Sequence, residues 1–431
     1  MQVAKPKKGY KLVKTSFGKY EEIPEEWKLS TLQDICDTTS GGTPLTTNPE
    51  YYDGEIPWLT TSELQDNFVS KTKNKITEAG FKNSSAKKIP PNSIIIAMYG
   101  ATIGKTCINT KEITTNQACC VFIPKKEKLV DPYFLQQVLI YFRPLIVSLG
   151  QGAGQPNISQ DFLRKFQIPF PLYQEQQKIT SILSNVDSTI QKTNQIIEQT
   201  QRFKKGMMQK LLTRGIGHTK FKKTKIGKIP EEWEIVILKE LGEWNGGGTP
   251  SKSNKKFWTN GSIPWITPKD MKTDEIYDSI DKITPGAIEK SVGKIIKSNS
   301  ILFVVRSGII QKILPIAITK VDVTINQDMK ALTVRKEVNS SYIFHTVQSL
   351  SDDIRYSCSK GGTTVQSIVV PQLLKYSIPL PPLSEQKQIT SILSNVDTQI
   401  QKEKLHKSNL ERLKKGLMQK LLTGQIRVKV R

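Results

Sequence analysis

Histidine and cysteine are scarce in this chain of 431 residues, and no long apolar run occurs in it. The five cysteines are odd in number and never spaced Cys-x-x-Cys, so the sequence predicts reduced thiols rather than a disulfide framework or a zinc knuckle. Three histidines are too few for a His-rich metal site. The longest apolar stretch, 94–98, is far shorter than the ~20 residues that span a bilayer, and no apolar segment follows the basic N-terminus. We therefore expect a cytoplasmic protein with no metal, no membrane partner and no secretory signal.

Positive charge is what the sequence has in excess. It contains 63 Lys and Arg against 39 Asp and Glu, a net charge of +24. The net charge is +5 in 1–172, +3 in 173–213, +9 in 214–380 and +7 in 381–431, so the excess does not come from one basic tail. This balance favours a nucleic-acid partner, and the alternatives are an anionic membrane surface or a merely lysine-rich proteome.

The chain is a tandem repeat. The two copies agree closely at their C-terminal ends. Residues 175–213 and 385–423 align without a gap and are identical at 24 of 39 positions. Before that, only short anchors recur in the same order. They are Ile-Pro-Glu-Glu-Trp (23–27 and 229–233), Gly-Gly-Thr-Pro (41–44 and 247–250), Ile-Pro-Trp (56–58 and 263–265) and Asn-Gln (116–117 and 326–327).

The closely repeated segment predicts a long helix. Its apolar residues follow the 4-3-4 spacing of a coiled-coil seam, with prolines before the segment and glycines after it. Thirty-nine helical residues would span about 58 Å. Thr193, Glu403 and Lys407 interrupt the seam, which favours packing of the two helices of one chain against each other over two unrelated surface helices. The seam residues are Ile179, Leu183, Val186, Ile190 and Ile197, then Ile389, Leu393, Val396 and Ile400.

The globular parts, about 20–172 and 226–380, predict α+β domains rich in loops. Short β-like runs alternate there with Gly, Pro, Asn and Thr turns. The predicted strands are 93–98, 118–123, 301–305 and 331–334, with closing strands at 168–169 and 378–379, and the predicted helices are 133–149 and 341–350.

A search for catalytic motifs yields only imperfect matches. The loop 100–106 has three residues between its glycines where a phosphate-binding loop needs four. The Asn-Pro-Glu-Tyr of 48–51 lacks the second proline of the adenine methyltransferase loop, and no glycine-rich cofactor turn accompanies it. The carboxylates of 25–26 lie on a predicted surface turn, and 119–120 is a cysteine pair without a neighbouring histidine. The sequence thus predicts a chain that performs no chemistry itself.

The ordered set of motifs resembles the specificity subunit of type I restriction-modification systems. The resemblance rests on the Pro-x-x-Trp-x4-Leu openings, the Gly-Gly-Thr-Pro turns, the Ile-Pro-Trp-x-Thr runs, the Ile-Pro closures followed by Glu-Gln-x-x-Ile, and the Lys-x-Gly-x-Met-Gln-x-Leu-Leu-Thr helix ends, each present twice. It implies an α+β fold with two tandem loop-rich target recognition domains, separated by two long antiparallel coiled-coil helices in a pseudo-twofold repeat. The implied division is 1–172 for the first domain, 173–216 for the central helix, 217–380 for the second domain, and 381–431 for the distal helix and tail.

The resemblance also implies partners. They are double-stranded DNA, two methyltransferase subunits that methylate adenine, and ATP-driven restriction/motor subunits; S-adenosylmethionine, ATP and Mg would be bound by those subunits and not by this chain. The near-identical helices imply pseudo-twofold symmetry, so we expect two half-sites ~34–36 Å apart. Because the globular parts differ, we expect the two half-sites to differ as well, which gives an asymmetric bipartite DNA target. The alternatives are a free-standing DNA methyltransferase or nuclease, and a tandem-repeat RNA- or protein-binding scaffold.

Short polar turns are the predicted DNA contacts, although each could be an ordinary surface turn. Arg306 is the first candidate because Arg is the commonest bidentate reader of guanine; Tyr99 and Lys105 occupy the equivalent turn of the first domain. We expect Trp58 and Trp265 to lie in the core instead. The other predicted DNA contacts are Thr43, Thr60, Thr61, Ser62, Gln151, Gln155, Asn157, Thr249, Lys252, Thr267, Lys269, Ser307, Lys360, Thr363 and Thr364. The residues predicted to meet the methyltransferase subunits are Gln209, Lys210, Gln419 and Lys420.

Overall fold

The fold comprises two compact units, each built from one globular region and parts of two long helices. The structure is a computed structural model that describes residues 6–15, 20–150, 157–290, 293–360 and 366–429. Unit 1 contains Met1–Asn194 and Leu405–Arg431, and unit 2 contains Gln195–Lys404. This division runs through both long helices, whereas the sequence-based division gives each helix a segment of its own.

Unit 1 is an α+β structure around a five-stranded sheet of order β4-β11-β8-β9-β6. A three-stranded sheet, β10-β5-β7, and the pairs β1-β2 and β3-β12 surround it. Its strands are β1 (Tyr10–Lys14), β2 (Tyr20–Pro24), β3 (Lys28–Thr31), β4 (Cys36–Ser40), β5 (Tyr52–Leu59), β6 (Asn67–Val69), β7 (Asn74–Ile76), β8 (Ile94–Ala97), β9 (Thr106–Asn109), β10 (Thr114–Thr115), β11 (Cys119–Pro124) and β12 (Gln167–Phe170). Its helices are α1 (Leu32–Ile35), α2 (Glu78–Lys82), α3 (Pro132–Gly150), α4 (Gln160–Lys165) and the beginning of α5 (Tyr173–Arg214), with 3-10 helices at Pro49–Tyr51 and Thr61–Glu63.

Unit 2 repeats this topology. Its five-stranded sheet has the order β16-β23-β20-β21-β18 and its three-stranded sheet the order β19-β17-β22. The strands are β13 (Phe221–Thr224), β14 (Gly227–Pro230), β15 (Glu234–Ile237), β16 (Gly242–Gly246), β17 (Ile263–Ile266), β18 (Glu275–Ile276), β19 (Asp281–Ile283), β20 (Ile301–Val304), β21 (Ile316–Thr319), β22 (Thr324–Ile325), β23 (Met329–Val334), β24 (Ser359–Lys360), β25 (Ser367–Ile368) and β26 (Ser377–Leu380). The helices are α6 (Pro285–Lys290), α7 (Ser340–Ser349), α8 (Ser351–Cys358), α9 (Val370–Lys375) and α10 (Leu383–Leu422), with 3-10 helices at Leu238–Leu241, Lys255–Phe257 and Gly308–Gln311.

The central strands are apolar throughout because both faces of the sheet are covered. In β8, Ile94 and Ile96 join the cluster that contains the buried side of α3, whereas Ile95 and Ala97 join a separate cluster on the other face. A strand covered on both faces gives a continuous apolar run in the sequence rather than an alternating one. The predicted strands and helices of both globular regions are confirmed, with end-points that differ by a few residues.

Both predicted long helices are confirmed. Gly215 (φ +64°) follows the end of α5 and Gly424 (φ +74°) follows the end of α10, in the left-handed conformation common after helix ends. Of the residues expected to interrupt the seam, Thr193 is buried, and its hydroxyl donates to Thr189 O at 2.9 Å. The helix backbone therefore satisfies the hydroxyl of a threonine at a seam position where the repeat pattern expects an apolar side chain.

The two helices run antiparallel within each unit. In unit 1, Arg427 contacts Glu175 and Lys414 contacts Asp187 (2.8 Å). Residue numbers therefore increase along α5 in the direction in which they decrease along α10. In unit 2, His218 contacts Glu385 and Lys204 contacts Asp397 (2.6 Å) in the same order. The Asp–Lys pairs occupy equivalent positions of the sequence repeat, which is therefore also a repeat in the structure. Among the described helices, none combines the length and apolarity required to cross a membrane.

Candidate nucleic-acid interface

Three of the repeated motifs meet in unit 1 and build one arrangement, which we call the turn frame. Gly42 N donates a hydrogen bond to Thr115 O at 2.9 Å. The indole Nε1 of Trp58 donates to Gly42 O at 3.0 Å, and Trp58 is 8% exposed. Asn116 N donates to Leu59 O at 3.0 Å and completes the frame.

Unit 2 contains the same turn frame. Gly248 N donates to Ile325 O at 3.1 Å, and Trp265 Nε1 donates to Gly248 O at 3.0 Å. Asn326 N donates to Ile266 O at 3.0 Å. Trp265 is 4% exposed, so the prediction that both tryptophans belong to the core is confirmed.

Glycine is required at the first position of each turn. A Cβ atom on Gly41 would lie 1.9 Å from Thr115 O, and one on Gly247 would lie 1.8 Å from Ile325 O. Both distances are far below van der Waals contact, so any side chain there would force the strand apart from the turn. The repeated glycines, tryptophans and asparagines thus maintain a common scaffold.

The threonines of the Gly-Gly-Thr-Pro turns contact the glutamine of the Asn-Gln anchor. Thr249 Oγ1 donates to Gln327 Oε1 at 2.6 Å, and Thr43 makes the same hydrogen bond to Gln117. Both bonds lie at the surface. The structure therefore brings each predicted threonine together with the glutamine of the repeated Asn-Gln anchor, which was not among the predicted DNA contacts.

The threonines that follow the buried tryptophans hold local turns. Thr60 N donates to Glu63 Oε1 at 3.2 Å, and the hydroxyls of Thr60 and Ser62 lie 2.9 Å apart. Thr267 N and Oγ1 both donate to Asp270 Oδ2 at 2.8 Å. These hydroxyls cap 3-10 or bend segments, a role that short polar side chains often fill.

In unit 1, this segment packs against the loop 100–106. Thr61 O accepts a hydrogen bond from Thr102 Oγ1 at 2.9 Å. Lys105 Nζ lies 3.3 Å from Asp66 Oδ2, and the Arg143 guanidinium contacts the other oxygen of the same carboxylate. Lys105 is thus an ion-paired residue at the edge of the loop.

Asp66 organises this corner of unit 1. Burial alone would raise the pKa of the Asp66 carboxyl, but the Arg143 guanidinium, hydrogen bonds from Thr106 N and the charge of Lys105 together hold the pKa below its ordinary value. Arg143 Nε also donates to Gly104 O at 2.7 Å, which ties the loop to α3. Nothing in the sequence points to Asp66 or Arg143, because the two residues are 77 positions apart and meet only in the folded structure.

Unit 2 places a different constellation at the equivalent turn. Arg306 Nε donates to Asp328 Oδ1 at 2.6 Å, and the Arg306 side chain is 58% exposed. Asn326 Nδ2 donates to Asp328 Oδ2 at 3.1 Å. Ser307 begins the 3-10 helix beside them, and its Oγ accepts from Ile309 N at 3.5 Å. Asp328 was not predicted from the sequence.

The two turns pair with the segments that follow the glycine-rich loops. Tyr99 forms an antiparallel bridge with Asn157, and Arg306 forms one with Ser367. Lys360 is exposed on β24, which pairs with β25 next to Arg306. Four predicted residues lie outside the described residues: Gln151, Gln155, Thr363 and Thr364.

A lysine-rich loop follows the Gly-Gly-Thr-Pro turn of unit 2. Lys252, Lys255 and Lys256 are exposed, and Lys252 and Lys255 line a shallow surface pocket with Trp258. Lys269, on the next turn, is exposed as well. At the positions equivalent to the three loop lysines, unit 1 has Thr, Pro and Glu in 46–50. The surfaces beside the two turn frames therefore differ in charge.

All four helix residues predicted to bind a protein partner are exposed near the ends of α5 and α10. Two exposed apolar residues accompany them: Phe203 in unit 2 (60% exposed) and Leu413 in unit 1 (52% exposed). Gly206 and Gly416 follow three residues later, and a Cβ on either would meet no atom within 4 Å. Sequence reasoning missed Phe203 and Leu413, although they occupy equivalent positions of the repeat.

The cysteines have the environment of core residues. All five are free and buried. Burial raises the pKa of Cys36 and of Cys120 to about 12, so both thiols stay protonated near neutral pH and are poor nucleophiles. Within the described part of the chain, no group of three or more His, Cys, Asp or Glu residues is placed to hold a metal ion.

Two known specificity subunits are similar to this chain over nearly its whole length, and a third is similar over part of it. The putative type I restriction enzyme MjaX specificity subunit of Methanocaldococcus jannaschii is 30% identical over 444 residues, covering 96% of each chain. The MjaVIII specificity subunit of the same organism is 29% identical over 94% of each chain. The EcoR124I/EcoR124II specificity subunit of Escherichia coli is 46% identical over 167 residues, 39% of this chain and 41% of that one.

Solved structures agree in fold. A chain from a study of complex assembly and conformational transition of the type I R-M system has a TM-score of 0.62 at 18% identity, covering 94% of this chain and 99% of that one. The type I restriction-modification S subunit from M. genitalium has a TM-score of 0.54 at 16% identity, covering 92% and 96%. Residues 24–202 and 230–412 each match the type I restriction modification DNA specificity domain. The chain therefore belongs to the family of type I restriction-modification DNA specificity subunits.

Proposed function

We propose that this specificity subunit reads an asymmetric bipartite DNA target, one half-site per unit, and performs no chemistry itself. The observation that carries the proposal is a shared scaffold with different side chains upon it. Both units have the same sheet order and the same turn frame, yet Tyr99 stands in one where Arg306 stands in the other. Two readers with one framework and different contact residues would select two different half-sites.

The charge of the two units supports a division of labour within DNA binding. Exposed lysines such as Lys252, Lys255 and Lys256 would neutralise phosphates, which carries affinity but no sequence information. Arg306 would read a guanine in the half-site of unit 2, since a guanidinium matches the two acceptors of that base. The threonines of the turns would supply shorter contacts to phosphate or base edges.

Adenine methylation and ATP-dependent cleavage would belong to separate methyltransferase and restriction subunits. Those subunits would bind S-adenosylmethionine, ATP and Mg, and the whole complex would act in the cytoplasm, where the DNA is. Two methyltransferase copies would dock at the ends of α5 and α10, because each end presents the same sequence. Phe203 and Leu413 would form the apolar centres of these docking sites, with Gln209, Lys210, Gln419 and Lys420 around them.

Substitutions on the helices test the docking proposal. Phe203→Asp or Leu413→Asp should each reduce the number of co-purified methyltransferase subunits from two to one, and the double variant should retain none. Ile196→Asp is the matched control, because Ile196 is also exposed on α5 (45%) but has no apolar counterpart in the repeat. A double variant that still binds two copies would contradict the proposal.

Mapping of methylated adenines tests the function itself. DNA from cells with and without this gene, sequenced by a single-molecule method that detects methylation, should differ by one motif made of two unlike half-sites around a fixed spacer. A palindromic or continuous motif would overturn the bipartite assignment. Methylation or cleavage by the purified chain alone would favour a free-standing enzyme, and the absence of any gene-dependent motif would favour a scaffold.

A further inference from the structure

Asp328 holds Arg306 by one edge of its guanidinium. Nε and Nη2 of Arg306 both lie 2.6 Å from Asp328 Oδ1. A charge-assisted contact of this length restricts a long side chain to a small range of rotamers. The side chain is still 58% exposed, and within the described part of the chain Nη1 takes part in no hydrogen bond, so this donor remains available to a ligand.

The carboxylate is itself fixed by the turn frame. Asn326 Nδ2 donates to Asp328 Oδ2 at 3.1 Å, and Asn326 Oδ1 accepts from Asp328 N at 3.1 Å. Asn326 belongs to the repeated Asn-Gln anchor, whose backbone is bonded to Ile266. The chain of contacts therefore runs from the scaffold through Asn326 and Asp328 to the guanidinium.

Unit 1 has the same backbone arrangement at this position, but with other side chains in place of the arginine and the aspartate. Asp328 O accepts from Val305 N at 2.8 Å, and its counterpart Ala118 O accepts from Met98 N, also at 2.8 Å. The residue after Met98 is Tyr99, where unit 2 has Arg306. The arginine and the aspartate are thus both present in one unit and both missing from the other, and neither is needed for the shared backbone geometry.

An aspartate beside this arginine is unfavourable for simple phosphate binding. The carboxylate cancels the local positive charge and would repel a nearby phosphate. The same carboxylate favours base readout, because it orders the guanidinium before binding and leaves donors for the N7 and O6 acceptors of guanine. A site selected only for affinity to the DNA backbone would have no use for it.

We propose that Asp328 is a positioning residue that orients Arg306 to read one guanine in the half-site of unit 2. This inference rests on the proposed function and deepens it by naming the base class and the residue that fixes the reader. Asp328 need not touch DNA. Its effect is to restrict Arg306 to one base position and to disfavour contact with the phosphates.

Asp328→Asn in the full chain, assembled with its methyltransferase partners, tests the proposal. The substrate is a DNA library randomised across both half-sites, and the readout is the methylation of each sequence. We expect discrimination at one guanine position to fall about 5- to 150-fold, the range that one bidentate arginine supplies. Preferences in the other half-site should not change. Binding to non-target DNA should stay equal or become tighter, because a negative charge has been removed, whereas a merely structural lesion would weaken it.

Three further variants keep the test decisive. Asp322→Asn is the matched control, since it removes another aspartate of unit 2 that pairs with a lysine (Lys297, 2.8 Å), and it should leave the motif unchanged. Arg306→Gln should relax the same guanine position, and adding Asp328→Asn to it should cause no further loss, because the aspartate acts through the arginine.

The proposal is overturned if Asp328→Asn preserves discrimination at every position while Arg306→Gln relaxes one. It is also overturned if the effects of the two substitutions add. If Asp328→Asn abolishes methylation altogether, Asp328→Glu must restore the guanine preference, and failure to do so in a folded complex refutes the positioning role. A wild-type complex without any bipartite motif would instead refute the proposed function.

Discussion

Glu175 in unit 1 and Glu385 in unit 2 are carboxylates with little exposure, and each accepts hydrogen bonds from a buried tryptophan and from other groups of its unit. Removing them gives the sharpest stability prediction. Glu175 is 2% exposed, and its Oε2 accepts from the indole Nε1 of Trp27 at 3.0 Å. Arg427 reaches the same carboxylate with Nε at 2.8 Å and Nη2 at 2.9 Å. In unit 2, Glu385 accepts from Trp233 Nε1 at 2.9 Å in the same way.

The expected cost of Glu175→Ala follows from what it leaves behind. Trp27 is completely buried, so its N–H would lose its partner without gaining water, at about 1–3 kcal/mol. Arg427 would lose one of its two carboxylates as well. Because Arg427 is 34% exposed and keeps Glu26, its charge stays partly hydrated, and we expect a total loss of about 2–4 kcal/mol, most of it from the stranded Trp27 N–H. Glu385→Ala should cost about as much, because it strands Trp233 Nε1, Ile216 N and His218.

Urea unfolding of the full chain, with hydrogen exchange of 173–185 as the local probe, measures this cost. Glu26→Ala is the matched control, since Glu26 also binds Arg427 (2.8 Å) but is 68% exposed and should contribute less than about 1 kcal/mol. If the free energy of unfolding of Glu175→Ala lies within about 1 kcal/mol of the wild-type value, the buried carboxylate does not make the contribution to stability expected here.

Two other predictions concern pH and salt. Burial lowers the pKa of His345 to about 4 in the folded chain. Between about pH 6.5 and pH 4, the histidine is therefore protonated in the unfolded chain but neutral in the folded chain. The free energy of unfolding should therefore fall by about 3 kcal/mol as the pH is lowered from 6.5 to 4. Urea unfolding measured over this pH range should show that His345→Gln removes most of this fall. Replacing Lys252, Lys255 and Lys256 by Ala should reduce the slope of log K against log salt by about 0.9 for each lost phosphate contact, measured by fluorescence anisotropy, with the recognised motif unchanged. A slope equal to that of the wild type would remove these lysines from the DNA interface.

The elements that the sequence predicted well carry local signals. The long helices combine a 4-3-4 apolar spacing with flanking proline and glycine, and the central strands are apolar on both faces. α8 was missed because its sequence, 351–358, is short and largely polar, and it begins directly after α7 without a sequence break. Local pattern determines local structure best where one face must be buried.

The candidate site was only partly accessible to sequence reasoning. Arg306 could be selected by its chemistry, but Asp328 is 22 residues away and acquires its role only when β20 and β23 pair. The same is true of Asp66, which meets Lys105 and Arg143 through tertiary contacts. Thr60 and Thr267 could be selected from the sequence as polar residues able to contact DNA. The structure gives each of them a second role that the sequence did not predict, because each caps its own turn.

The most direct test of the central claim, that each unit reads its own half-site, is methylation mapping of two single variants side by side. Tyr99→Ala lies in unit 1 and Arg306→Gln in unit 2. Each should alter or relax one half-site, a different one in each case, and leave the spacer and the other half-site as in the wild type. If both variants alter the same half-site, or if either alters both, the assignment of one half-site to each unit is wrong.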